Sequence, residues 1–80
     1  MVKILTALLL FVSLLFSSVN INRANSAQLQ TLNGVGPAKA QEILKYRKAH
    51  GHFNTVDELV NVKGIGPRTL IKLKPHVSIH

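Results

Sequence analysis

The chain contains no cysteine and only three acidic residues among its 80. Without cysteine it has no disulfide bridge, no thiolate zinc site and no thiol nucleophile. The carboxylates of Glu42, Asp57 and Glu58 offer little for acid–base chemistry, and helix capping explains the last two. The Gly-rich Lys-Ser/Thr loop that binds ATP is absent from the sequence. Because a chain of this length holds one small domain, we expect a binding protein without a cofactor and not an enzyme.

Basic residues dominate the charged side chains. Ten Lys and Arg residues against three acidic ones give a formal net charge of +7. An excess of this size indicates an acidic partner, which is either a nucleic acid or an anionic membrane surface. Charge by itself does not distinguish the two.

The first 18 residues have the pattern of a secretory signal peptide. Lys3 is followed by a largely apolar run, residues 4–16, and then by two serines. The alternative is an uncleaved anchor, because residues 4–22 carry no charge, although Ser and Asn residues shorten its apolar part. In both interpretations Lys3 stays inside, so residues 19–80 form a periplasmic or secreted domain, or a membrane-anchored domain facing outward. Cleavage after residue 18 leaves nine basic and three acidic residues, a net charge of +6.

Residues 19–80 contain an internal repeat. Sliding the sequence by thirty positions aligns nine identical or similar residues of two copies. The aligned pairs are Asn25 with Thr55, Gln28 with Glu58, Leu29 with Leu59, Leu32 with Val62, Gly34 with Gly64, Val35 with Ile65, Gly36 with Gly66, Pro37 with Pro67 and Ile43 with Leu73. A unit of this size cannot bury its own apolar face, so we expect the two copies to pack on each other.

Each copy has the local signals of a helix, a tight turn and a second helix. A capping box begins the first helix, a glycine ends it with positive φ, and a proline occupies the first turn of the next helix. The capping pairs are Asn25 with Gln28 and Thr55 with Glu58, the glycines are Gly34 and Gly64, and the prolines are Pro37 and Pro67. The predicted fold is all-α, with about four short helices in motifs at about 25–49 and 55–75, preceded by the helix of the signal peptide.

The Gly-x-Gly turn between the helices suits an anion. Its two glycines let another molecule approach the backbone, the apolar residue between them turns inward, and the next helix presents unpaired N–H groups. A phosphate is the expected ligand of each turn. Beside it we expect Lys39 in the first copy, and Arg68 and Thr69 in the second. No cluster of base-reading side chains lies on a long helix, so we expect contact with a nucleic-acid backbone and not with bases.

Two segments resemble the helix-hairpin-helix motif of sequence-independent DNA-binding proteins. One runs from Leu29 through Gly34-Val35-Gly36 to Ile43, and the other from Leu59 through Gly64-Ile65-Gly66 to Leu73. With the leader and the segment Val19-Asn20-Ile21-Asn22 before it, the doubled motif is similar to the ComEA family of competence DNA receptors over residues 19–79.

This resemblance implies a tandem helix-hairpin-helix domain, (HhH)2, outside the cytoplasmic membrane. In that family the domain binds double-stranded DNA without sequence preference and helps draw it inward during natural transformation, which implies the DNA-uptake pore or pilus machinery as a further partner. The hairpin amides are the family's phosphate contacts, and the basic residues after each hairpin carry over as Lys39 and Arg68. The amides that match by position are those of Gly34, Val35, Gly36, Gly64, Ile65 and Gly66.

One departure from the family pattern and two other functions remain open at this point. Leu70 stands where the first copy has the small residue Ala40, which predicts wider packing and weaker binding at the second hairpin. The alternative functions are a protein-interaction module and an accessory module of DNA repair, because related hairpins occur in glycosylases, ligases and nucleases. We expect no metal site, since the paired histidines lack a third ligand nearby.

Overall fold

A computed structural model describes residues 18–80, so all of the predicted leader except Ser18 lies outside the described residues. The first copy begins with strand β1, Val19–Asn20, followed by the one-turn helix α1, Ser26–Leu29. The prediction that Gly34 ends this helix is wrong, because α1 stops at Leu29 with Gln30 as its C-cap. Helix α2, Pro37–His50, then runs for 14 residues and ends at Gly51, close to the predicted end. Among residues 18–80 no helix has both the length and the hydropathy that a membrane crossing requires.

The second copy has the same order of elements in a shorter form. A 3₁₀ helix, Val56–Asn61, takes the place of α1, and helix α3, Pro67–Leu73, takes the place of α2. A short 3₁₀ turn, Lys74–His76, leads into strand β2, Val77–Ser78. The prediction of a small helical domain is therefore confirmed for the described part of the chain.

Both copies contribute to one hydrophobic core. Within residues 18–80 it contains 13 buried apolar side chains, and four pairs of them are related by the thirty-residue repeat. These pairs are Leu29 with Leu59, Leu32 with Val62, Val35 with Ile65, and Ile43 with Leu73. Burial stabilises the fold by about 1.5–3 kcal/mol for each large aliphatic side chain. The prediction that the two copies pack on each other is confirmed.

The two copies begin differently, which corrects one prediction. In the first copy the Gln28 N–H donates to Asn25 Oδ1 over 2.8 Å, and the Asn25 N–H donates to Gln28 Oε1 over 2.9 Å, a complete capping box. The capping box predicted for Thr55 and Glu58 is wrong. The 3₁₀ winding commits the Glu58 N–H to the Thr55 carbonyl over 3.3 Å, and the Glu58 carboxylate accepts from the Asn54 N–H over 3.0 Å.

A two-stranded parallel sheet joins the two ends of the domain, which the all-α prediction did not include. Val19 pairs with Val77 and Asn20 with Ser78, and the Ile21 N–H extends the ladder to the Ser78 carbonyl over 2.9 Å. Two residues per strand are too few for the alternating pattern by which a strand is recognised in a sequence.

The side chain of Asn22 connects three distant parts of the chain. Its Nδ2 donates to the carbonyls of Phe53 and Ile79 over 3.0 and 3.1 Å, and its Oδ1 accepts from the Phe53 N–H over 2.6 Å. This side chain therefore holds the loop between the copies and the C-terminal segment against the turn after β1. The copies are fixed relative to each other by this contact as well as by the core.

Candidate nucleic-acid interface

One glycine turn connects the two helices in each copy. We call residues 34–36 the first hairpin and residues 64–66 the second hairpin. Gly34 and Gly64 have φ of +89° and +93°, the left-handed region that favours glycine. Gly36 and Gly66 precede α2 and α3 with extended φ of −92° and −95°. The glycines of the two hairpins thus have nearly the same φ angles, and the wider packing predicted for Leu70 stays a prediction.

The middle residue of each hairpin is an anchor in the core. The side chains of Val35 and Ile65 are only 4% and 3% exposed. Their N–H groups donate within the turn, to the Leu32 and Val62 carbonyls, both over 3.0 Å. The inward orientation predicted for these two residues is confirmed, and their amides already have acceptors.

The glycines on either side have N–H groups without a partner in the described part of the chain. No hydrogen bond between described residues takes up the N–H of Gly34, Gly36, Gly64 or Gly66. All four glycines are exposed residues, so their N–H groups are available to donate to water or to an anion. Each hairpin therefore presents two backbone donors on either side of a buried anchor.

The surface over the hairpins is open to a partner. A Cβ placed on Gly34, Gly36 or Gly66 would have no described atom within 4 Å apart from those of the glycine itself and its two chain neighbours. At Gly64 the nearest atom to such a Cβ is Lys39 Cγ at 3.7 Å, an ordinary van der Waals distance. Another molecule can therefore approach the backbone at both hairpins without displacing a side chain.

Lys39 lies between the two hairpins. Its ammonium donates to the Gly34 carbonyl over 3.2 Å, while its aliphatic stem lies against Gly64. A groove forms at this place, lined by Ala38, Lys39, Glu42, Lys63 and Gly64, which we call the hairpin groove. The structure thus brings Lys39, predicted for the first hairpin, into contact with both.

Arg68 and Thr69 lie in the first turn of α3, directly after the second hairpin. Arg68 is exposed and Thr69 half-buried, and no hydrogen bond or ion pair within residues 18–80 engages either side chain. Lys63, a residue that the sequence pattern did not single out, is exposed in the hairpin groove beside Gly64. Its position immediately before a Gly-x-Gly turn was the available signal.

Two other basic residues have structural roles. The Arg47 guanidinium donates to the carbonyls of Ile21 and Ala24 over 3.0 and 2.8 Å, which fixes the last turns of α2 to the N-terminal segment. Lys74 forms an exposed ion pair with Asp57 over 2.9 Å. The side chains of Arg47 and Lys74 therefore already have partners within the domain.

The histidines do not form a cluster in the described part of the chain. No group of three or more His, Cys, Asp or Glu side chains there could hold a metal ion. His50 instead stacks on Tyr46 with ring centroids 4.0 Å apart, and Tyr46 stacks on Phe53 at 5.1 Å. The three rings therefore stack on one another near the C-terminal end of α2.

Known proteins match this chain over the residues that form the two hairpins. The family described as "Helix-hairpin-helix motif" matches residues 16–78. The chain belongs to this helix-hairpin-helix family. Its domain is ComEA-like, because it is 41% identical over 61 residues to ComE operon protein 1 of Bacillus subtilis (strain 168). That match covers 76% of this chain and 30% of the relative.

Two further relatives place the same domain in different settings. An uncharacterized protein of Haemophilus influenzae (strain ATCC 51907 / DSM 11121 / KW20 / Rd) is 40% identical over 60 residues, which cover 74% of this chain and 54% of the relative. The endonuclease/exonuclease/phosphatase family domain-containing protein 1 of Mus musculus is 39% identical over 59 residues, which cover 74% of this chain and 10% of the relative. This chain thus spans about half or less of the length of these relatives.

Proposed function

We propose that the protein binds double-stranded DNA through its phosphate backbone, without sequence preference, and that it acts in DNA uptake during natural transformation. The observation that carries this proposal is the pair of matched hairpins whose unpaired N–H groups are exposed on a basic domain. Membership of the helix-hairpin-helix family and the identity to ComE operon protein 1 support it.

The contact with phosphate is made by the outer glycines of each hairpin. The N–H groups of Gly34 and Gly36 bind one phosphate and those of Gly64 and Gly66 bind another, while Arg68 and Thr69 add side-chain donors. A hydrogen bond to a charged group stabilises a complex by about 1.5–3 kcal/mol. Val35 and Ile65 act by holding each turn in shape, because their N–H groups already donate within it.

Backbone donors explain the lack of sequence preference. A phosphate group has the same chemistry at every base pair, so contacts to it fix position but do not read bases. Base reading needs side chains that reach into a groove, usually from a helix. The proposed contact surface consists instead of two glycine turns and the first turns of α2 and α3.

The proposed location is outside the cytoplasmic membrane, with residues 1–18 as a signal peptide or, alternatively, as an outward-facing anchor. There the protein would bind incoming DNA and hinder its backward diffusion, a step that needs no nucleotide hydrolysis. The pore or pilus machinery of DNA uptake is the proposed protein partner. The name of the Bacillus subtilis relative supports a role in competence.

The proposed role is not enzymatic. The Glu58 carboxylate accepts the Asn54 N–H and Asp57 pairs with Lys74, so the carboxylates other than Glu42 have structural partners. The mouse relative has an endonuclease/exonuclease/phosphatase domain in its name, but the match covers only 10% of that protein. The shared segment therefore supports a binding module and not a catalytic one.

A salt titration tests DNA binding directly. The protein is titrated against two unrelated duplexes by mobility shift or fluorescence anisotropy at several salt concentrations. If about four phosphates are neutralised, log K falls with log salt at a slope near −3.6, and both duplexes give the same value. An affinity that does not change with salt, or that differs strongly between the duplexes, contradicts the proposal.

DNA uptake by cells tests the proposed role in transformation. The double substitution Lys39→Glu and Arg68→Glu reverses two charges beside the hairpins, so uptake should fall. Lys45→Glu with Lys48→Glu changes the net charge equally but lies further along α2, and it serves as the matched control. Undiminished uptake with the first variant contradicts the proposed role.

A further inference from the structure

The two copies differ in where they place their charges. Three positions around each hairpin are basic in the second copy but neutral or acidic in the first. With the thirty-residue offset, the pairs are Lys63 with Asn33, Arg68 with Ala38, and Lys72 with Glu42. A duplicated backbone therefore carries an unequal set of side chains.

The first copy has its basic residues elsewhere. Lys45 and Lys48 lie eight and eleven residues after Pro37, about 12 and 16 Å along α2 at a rise of about 1.5 Å per residue. Arg47 donates to two backbone carbonyls. The ammonium of Lys39, the basic side chain closest to the first hairpin in sequence, donates to the Gly34 carbonyl.

The second copy presents its basic residues at the hairpin. Lys63, Arg68 and Lys72 are exposed, and no ion pair between described residues involves any of them. Lys72 follows Arg68 by four positions and therefore shares its face of α3. In the hairpin groove the single carboxylate, Glu42, is outnumbered by Lys39 and Lys63.

We infer that the two hairpins contribute unequally to DNA binding: the second hairpin supplies most of the ionic contact, with Lys63 and Lys72 acting beside Arg68. This inference rests on the proposed function. Salt screens exposed charges over about 8–10 Å at physiological ionic strength, so lysines more than 10 Å along α2 add little at a phosphate held by the first hairpin. The first hairpin then positions DNA through its amides, while the second adds charge.

Charge removal and charge exchange test the inference in the full chain. Lys63→Asn with Arg68→Ala gives the second hairpin the residues of the first. Lys45→Ala with Lys48→Ala removes the same charge from exposed positions on α2. A third variant adds Asn33→Lys and Ala38→Arg to the first pair, so that charge moves to the first hairpin at unchanged composition. Each protein is titrated with one DNA duplex at several salt concentrations, and thermal unfolding checks its fold.

The slope of log K against log salt separates the outcomes. The first variant should lose about 1.8 from the magnitude of the slope, the α2 control less than about 0.9, and the exchange variant should regain the wild-type slope. Equal losses in the first variant and its control overturn the inference while leaving DNA binding intact. An exchange variant that fails to recover also overturns it. A wild-type protein that does not bind DNA overturns the proposed function as well.

Discussion

Replacing the last glycine of a hairpin with aspartate should separate DNA binding from stability. Gly66 and Gly36 are the N-cap residues of α3 and α2, with extended φ and ψ that any residue can adopt. Apart from the residue itself and its two chain neighbours, no described atom lies within 4 Å of a Cβ at either position. Aspartate is one of the best N-cap residues, so the fold should be unchanged or stabilised by up to about 1 kcal/mol.

The same carboxylate should weaken DNA binding strongly. It lies where the proposed phosphate accepts the Gly66 N–H, so the substitution costs one charge-assisted hydrogen bond of about 1.5–3 kcal/mol. Repulsion between two like charges about 4 Å apart adds about 1 kcal/mol in water. A total near 3 kcal/mol predicts an affinity roughly 100-fold lower for Gly66→Asp. Gly36→Asp should act in the same direction.

Asn25→Asp provides the matched control. It changes the net charge by the same amount at another helix N-cap, where the side-chain oxygen already accepts the Gln28 N–H. For Gly66→Asp the affinity measured by anisotropy should fall, while the melting temperature measured by circular dichroism should stay the same or rise. For Asn25→Asp both quantities should remain near their wild-type values. Equal loss of affinity in both variants would mean that DNA binding responds only to net charge, and it would contradict a phosphate contact at the Gly66 N–H.

Two further pairs of substitutions test particular contacts. Lys72→Ala should reduce the magnitude of the slope of log K against log salt by about 0.9. Lys74→Ala removes a lysine that is already paired with Asp57, so it should change the slope by less than half of that amount. A larger change with Lys74→Ala than with Lys72→Ala would contradict the proposed interface. Asn22→Ala leaves three backbone groups without their partner and should destabilise the fold by about 3 kcal/mol. For a domain of this size that is a fall in melting temperature of roughly 12–24 °C, while Asn54→Ala, at an exposed position, should have little effect.

Local features of the chain were predictable because local physical chemistry fixes them. Residues within one or two turns determine the positive φ of Gly34 and Gly64 and the start of α2 and α3 at a proline. The inward anchors were predictable for the same reason, since Val35 and Ile65 are apolar residues between two glycines.

Contacts between distant residues were not predictable from the same signals. The β1–β2 pairing joins Val19 to Val77, and Asn22 reaches residues 31 and 57 positions away. Nothing in a local pattern shows where an asparagine side chain will find its partners. The position of Lys39 against Gly64 depends in the same way on how the two copies pack.

The second copy shows why a sequence repeat is an incomplete guide to structure. Thr55 and Glu58 have better capping-box chemistry than Asn25 and Gln28, yet only the latter pair forms the box. The reason is the winding of the following segment, since a 3₁₀ turn commits the amide that the cap would need. Side chains aligned by the repeat can therefore have different partners even where the two hairpin backbones agree.

The stability of the fold and the proposed binding of DNA depend on different atoms of the same hairpins. Substitutions should therefore be able to change one without the other. The buried side chains of Val35 and Ile65, with their internal hydrogen bonds, fix each turn whether or not a partner is present. The N–H groups of the flanking glycines donate no hydrogen bond to another described residue, so the fold does not depend on them for a partner. A preformed turn loses little conformational entropy on binding. Substitutions that fill the space over Gly36 or Gly66, whose backbone is extended, should therefore act on affinity. Substitutions of the anchors, or of Gly34 and Gly64 with their positive φ, should act first on stability.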